Sequence, residues 1–308
     1  MDQRLDAGAS GSITETFASS ETSTPPAAPM EMPTQALYKP VERKRALQPG
    51  SLETTLARVF VFGGAAALTV FSTDQMIQAV TVGDITVLQA ILVGMFSVTF
   101  AWIALSTTSA LAGLIFPSGR EPSEKKPGKA GLCALVMPVY NESPASTTGS
   151  LIAIAEDLAR IGETAGFEIF ILSDTTDPEI WPLETAAVTR LKQRVAEHLP
   201  VWYRHRHRNT DRKSGNVQDF VTTWGARYET MLVLDADSLM TAETICAMRD
   251  RMGADDSLGL LQTVPTLIGG TSLFARLQQF AGRVYGPVVS RGLAAWQGDD
   301  GNYWGHNA

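Results

Sequence analysis

Two carboxylates one residue apart, Asp235 and Asp237, close the apolar, β-prone run at 231–234. In a strand, residues i and i+2 point to the same side. At the strand's C-terminal end both side chains can therefore reach toward one site. Converging carboxylates with no His or Cys beside them suit a hard cation with oxygen ligands, Mg²⁺ or Mn²⁺ carrying substrate phosphates. The same two residues also suit a plain turn, followed by the cap of a helix that starts near Thr241. Their surroundings have to decide between the two.

A basic counterpart stands upstream. Residues 204–216 read RHRHRNTDRKSGN, with Lys213 followed by Gly215 at a turn and Asn216 placed to cap the next helix. Such a loop can reach a diphosphate, and it can equally be a solvated charged face. His205 and His207 alternate as on a strand edge; with no third ligand in view they read as surface residues rather than a zinc site. Cys133 and Cys246 lack metal-site spacing and sit beside apolar segments. They are expected as buried thiols in a reducing compartment.

The elements that must position these residues alternate in type. Strands are expected at 132–139, 167–172, 201–205, 230–234 and 258–263. Helices are expected at 147–161, 179–198, 216–227, 241–252 and 272–285. This β-α alternation predicts an α/β fold, a mostly parallel sheet with flanking helices. Ligands of such sheets bind beyond the carboxyl ends of the strands. Three of the strands end in acidic or amide residues: Asn141 and Glu142, Asp174, and the Asp235/Asp237 pair. Neither GxGxxG after a strand nor GxxxxGK[ST] occurs, so phosphates would have to be held by a metal and by basic side chains.

Charge is spread unevenly along the 308 residues, of which 19% are charged, and the net charge of −7 argues against a general nucleic-acid binder. Residues 85–119 carry no charge at all, longer than the roughly 20 residues that cross a bilayer. A transmembrane helix is expected at 87–108 and a shorter or tilted one at about 56–77, with Asp74 near the far interface. Lys and Arg flank the pair on both outer sides, whereas the connector at 81–84 has none. The positive-inside rule then puts both flanks in the cytoplasm. Residues 1–50, rich in Ser, Thr, Ala and Pro and without a signal peptide, are expected to form a disordered tail. Residues 51–117 hold the two spans, 118–130 a polar linker, and 131–308 the α/β domain.

With these motifs in place, a resemblance emerges. MPVYNE, LSDTTDPE, DRKSGN and VLDADS, in this order and spacing, resemble the family 2 glycosyltransferases with the GT-A fold. LSDTTDPEIW, YRHRHRNTDRKSGNVQDF, LQTVPTLIGGTSLFARLQQFA and WQGDDGNYWGHNA narrow the resemblance to the glucans biosynthesis glucosyltransferase H family, over roughly residues 40–308. The resemblance implies an inverting, multi-pass enzyme of the bacterial inner membrane. It would transfer glucose from UDP-glucose to a growing β-glucan acceptor, the linear β-1,2 backbone of osmoregulated periplasmic glucans. It implies that Val139 and Glu142 line the nucleotide pocket and that Asp174 accepts from the uracil imide. Lys213 would contact uridine or diphosphate, Asp235 would hold sugar hydroxyls, and Asp237 would ligate Mg²⁺ (or Mn²⁺). Gln262 and the stretch Gly305, His306 and Asn307 would lie near the donor sugar or acceptor.

The chain also departs from that family's pattern. Inverting transfer needs a general base, and the family's base motif, its QxxRW motif and its later spans do not occur. Asp299 and Asp300 match no base motif. The chain therefore reads as an N-terminal fragment, with its base expected beyond Ala308 and little transferase activity of its own. Two other readings stay open here: a different processive β-glycan synthase, such as a cellulose synthase-like enzyme, and a UDP-glucose-binding sensor without transferase activity.

Overall fold

A computed structural model describes residues 23–32, 38, 52–116, 131–256, 258–298, 301 and 307–308. They fall into two compact units. One holds the described residues of Met1–Tyr38, Glu124–Thr263 and Gly305–Ala308; the other holds those of Lys39–Ser123 and Val264–Trp304.

The first unit is the α/β part. Strands β1 (Cys133–Val139), β2 (Phe167–Ser173), β3 (Val201–His205) and β4 (Thr230–Val233) form one sheet of order β3-β2-β1-β4. All three pairings are parallel. A parallel sheet is stable when helices cover both faces, and its strands then read as continuous apolar runs. β1 and β2 are buried along their whole length. Alternation divides them: Leu135, Met137, Ile169 and Ile171 pack with residues of helices α3 (Pro144–Ile161), α4 (Ile180–Val195) and α6 (Ala242–Ala254). Ala134, Val136, Phe170 and Leu172 pack with Phe220 and Trp224 of α5 (Arg212–Trp224) and with Tyr228. Phe170 meets Phe220 edge-on at 4.9 Å between ring centroids, a geometry the ring quadrupoles favour.

Strand order fixes where a ligand can sit. From β1 the chain steps outward to β2 and β3, then returns to the other side of β1 as β4. The order reverses between β1 and β4, and the crevice of an open α/β sheet lies at such a switch point. The segment after β1 carries Glu142, and the segment after β4 carries Asp235 and Asp237.

Both sheet edges are covered, and here the structure corrects the sequence expectation. Residues 23–32, expected within the disordered tail, lie along β3 and α5. Ser23 and Tyr203 exchange backbone hydrogen bonds of 3.0 Å in an antiparallel bridge, Ala28 N–H donates to Thr223 O, and Trp224 Nε1 donates to Pro25 O. The prolines of this stretch restrict the unfolded chain and so lower the entropy lost on docking, while an edge strand offers unpaired backbone groups. At the other edge, Ala308 exchanges backbone hydrogen bonds with Val233. Residues 258–263, expected as a strand, join no ladder; the β4 edge they would have needed is taken by Ala308, and Thr263 N–H bonds Asn307 O instead. The remainder of 1–50 (apart from Tyr38) and the linker 118–130 lie outside the described residues, as do Asp299, Asp300, Gly305 and His306.

The second unit is helical. Helices α1 (Leu52–Val80) and α2 (Val87–Ile115) are each long and apolar enough to cross a membrane by length and composition, somewhat longer than the sequence suggested. Only 17% and 11% of their most apolar windows are buried. A helix from a soluble core buries most of its apolar surface, so this exposure favours lipid. A π-type turn at Val59–Gly63 interrupts α1, and the Thr108 hydroxyl of α2 donates to Val61 O there at 3.0 Å. The third helix, α7 (Leu273–Gln297), runs past the Gly286-Pro287 pair where a helix was expected to stop. Packing carries it through, as Gly292 and Ala295 are buried.

Candidate functional site

A cleft of about 460 Å³ opens at the carboxyl ends of β1 and β2, lined by Pro138, Val139, Tyr140, Glu142, Asp174, Asn209, Arg212, Lys213 and Asn216. Four residues expected from the sequence, Val139, Glu142, Asp174 and Lys213, thus share one cavity. The turn after β1 is pinned to the turn after β2. Asn141 takes a left-handed backbone (φ 57°), which Asn tolerates better than most residues. Its side-chain oxygen accepts from Thr176 N–H and Asp177 N–H at 3.0 and 3.1 Å. Both motifs are thereby held in register.

Asp174 is buried, and both of its oxygens are held by Arg206 at 2.8 Å in a forked pair. This pairing escaped the sequence reading, which took 204–216 as a basic loop and singled out Lys213 within it. Each Asp174 oxygen keeps a further acceptor position. Asn216 was expected to cap α5; it lies one turn inside that helix instead, because α5 starts at Arg212. Its Nδ2 donates to Leu172 O at 3.0 Å, while its buried Oδ1 has no partner. Gly215 is required by close approach, since a Cβ there would stand 2.1 Å from Thr210 O.

Lys213 also reaches the acidic turn, where its ammonium pairs with Asp235. The Asp235 N–H donates to the Asn307 side-chain oxygen at 2.7 Å, so Asn307 braces the turn. Asp237 is exposed, and among the described residues its carboxylate has no hydrogen bond or ion pair. Gln262 lies apart from the cleft, in a separate depression beside Glu243, Met248 and Arg251. The His205 ring stacks on Trp181 at 4.6 Å between centroids, and its Nε2 meets Thr175 O. Both thiols are free, Cys133 buried and Cys246 half-buried.

Glu142 is half-buried, and loss of solvent pushes its carboxyl above the usual range, with the charges of Glu184 and Asp237 adding to the shift. A carboxyl raised by folding supports the folded state fully below its unfolded value, and that support is lost as pH rises through the raised one. Glu142→Gln keeps an acceptor for Tyr140 N–H and removes the charge. It is expected to raise the melting temperature at neutral pH, by an amount that shrinks as pH falls through the carboxylate range. Thermal melts across pH would read this; a pH-independent difference would show that the charge is not the cause.

Among the described residues no three His, Cys, Asp or Glu side chains gather to hold an ion by themselves. The acidic turn still fits a divalent cation of the kind that takes one or two carboxylates and completes its shell with ligand phosphates and water. Asp237 is the exposed carboxylate of that turn, without a hydrogen bond or ion pair among the described residues.

These features define a class: an α/β domain with a cleft at the carboxyl ends of two parallel strands, joined in one chain to apolar helices. No protein-family model matches the chain. It is similar to "Glucans biosynthesis glucosyltransferase H" of Shewanella sp. (strain ANA-3), 44% identical over 290 residues, covering 87% of this chain and 40% of the relative. The protein of that name in Shewanella baltica (strain OS155) is 44% identical, covering 91% of this chain and 39% of the relative. The chain belongs to the glucans biosynthesis glucosyltransferase H family, and it spans about 40% of the length of these curated relatives.

Proposed function

We propose that this protein is a membrane-bound inverting glucosyltransferase. In this reading it uses UDP-glucose and a divalent cation to elongate a linear β-1,2-glucan backbone, with its α/β unit on the cytoplasmic face of the bacterial inner membrane. The observation that supports this most is the Lys213–Asp235 pair. It ties a basic loop that lines the cleft to the acidic turn beyond β4.

Roles follow from chemistry. Asp174, fixed by Arg206, presents acceptor positions to an imide N–H. Lys213, held by Asp235 when no donor is bound, exchanges that partner for a diphosphate. Asp235 is then left to accept from sugar hydroxyls, and Asp237 with diphosphate oxygens would hold Mg²⁺. The cation supplies positive charge against a leaving nucleoside diphosphate. The unpartnered Asn216 oxygen gives the cleft one more acceptor.

Calorimetry of the purified protein with UDP-glucose, with and without Mg²⁺ and beside ADP-glucose, tests the donor. Mg²⁺-dependent binding selective for UDP-glucose is expected; equal binding of both nucleotide sugars would sink the assignment. Methylation analysis of glucan made by the full-length enzyme would read the linkage, and a product without 1,2-linked glucose would overturn that part.

A further inference from the structure

One cation in the wall of the cleft has no role in the site as described so far. Lys213 is paired with Asp235, and Arg206 is forked onto Asp174. Arg212 also lines the cleft. It is exposed, and among the described residues its guanidinium has no hydrogen bond or ion pair. A guanidinium offers several N–H donors in a fork that matches phosphate oxygens, and it stays charged at any pH at which proteins work.

The place of Arg212 depends on an unusual backbone. Asp211 and Arg212 are both left-handed, at φ 56° and 51°. That region is unfavourable for a residue with a Cβ, and here two such residues follow one another. Strain of this kind persists only where the surroundings over-determine it. They do so here. Asp211 O accepts from Gly215 N–H at 3.1 Å and from Ser214 Oγ at 2.7 Å, and Arg212 O accepts from Arg206 Nη2 at 3.3 Å. The consequence is geometric. Neighbouring residues on a regular helix point about 100° apart and do not share a face. The left-handed pair breaks that rule at the head of α5, and Arg212 and Lys213 line one cavity.

We infer that Arg212 is a further donor-site residue, the guanidinium that receives the diphosphate leaving group. This deepens the proposed donor reading and rests on it. The ion pairs divide the work between the two cations. Lys213 has to release Asp235 to meet a phosphate, whereas Arg212 releases only water. On transfer, the bond from the anomeric carbon to the terminal phosphate oxygen breaks, and its electron pair stays on that oxygen. The acceptor oxygen takes its place on the carbon and passes its proton to a general base. At mildly alkaline pH the departing UDP therefore carries one more negative charge than UDP-glucose. A guanidinium beside the phosphates favours the more highly charged species, and it favours the transition state in the same direction.

Arg212→Asn removes the charge and suits a left-handed backbone better than arginine does, so the variant should melt like wild type. Calorimetry with Mg²⁺ at mildly alkaline pH compares UDP, UDP-glucose and uridine, the last read by displacement of UDP. The variant is expected to lose about tenfold in UDP affinity, the scale of a hydrogen bond to a charged group. It should lose several-fold less for UDP-glucose and nothing for uridine. Arg212→Lys keeps a positive charge and should restore part of the UDP affinity. Unchanged UDP binding by Arg212→Asn would overturn the inference and leave the donor reading standing. Equal losses on all three ligands would also overturn it, because residue 212 would then act through the shape of the loop. A wild-type protein that binds none of the three would remove the donor reading itself, and this inference with it.

Discussion

Asp237→Asn is expected to abolish the Mg²⁺-dependent part of UDP-glucose binding, weakening it by at least the 10–100-fold that loss of a supporting group around a metal costs. Asp237 is exposed, and its carboxylate has no hydrogen bond or ion pair among the described residues. The change therefore leaves no partner stranded, and folding stability should hardly move. Asn keeps the volume and one oxygen but loses the charge, which is what a hard cation requires. The decisive comparison is with EDTA. Wild type without metal and the variant with metal should bind UDP-glucose alike, because both lack the same contribution. Lys213 and Asp174 remain in the variant, so residual binding should persist and respond to salt through Lys213. If the variant keeps its Mg²⁺ dependence, the cation sits elsewhere. The nearest other candidate is then Asp235, released from Lys213.

Much of this site was legible in the sequence because strands impose a simple rule. Apolar runs that end in polar residues, repeated along a β-α alternation, place those residues at one end of one sheet. Glu142, Asp174, Asp235 and Asp237 follow from that rule with no knowledge of the fold's details. Other features depend on contacts between residues far apart in the chain, and a local pattern does not encode them. Arg206 is one of four arginines between 204 and 212, and only the Ser173–His205 register of β2 with β3 selects it as the partner of Asp174. Asn307 reaches the acidic turn from 72 residues away. The docked segment at 23–32 has the composition of a disordered tail, and its order comes from the exposed edge of β3. Helix α7 contains a Gly-Pro pair that reads as a stop, yet the close backbone contact at Gly113 and Gly292 carries it through.

Arg206→Met is expected to give the largest loss of stability of any single change around the cleft. Asp174 has only 3% of its side chain exposed and Arg206 has 17%, and two hydrogen bonds of 2.8 Å join them. Removing one member of a buried ion pair costs about 3–5 kcal/mol, because the other charge is left in a poor solvent. Met matches much of the lost hydrocarbon, so the effect reads the charge rather than a cavity. The Arg206 side chain also donates to Arg212 O at 3.3 Å, so its loss should loosen the first turn of α5, which carries Lys213. Melting of the purified protein and UDP-glucose binding should then fall together. The double variant Asp174→Asn/Arg206→Met separates the causes. It removes the stranded charge, so stability should largely return, since a buried pair adds little over neutral replacements of similar size. Binding should stay weak, because the carboxylate assigned to the nucleobase is gone. A single variant as stable as wild type would show that Asp174 finds another partner or reaches water, and the double variant would then recover nothing.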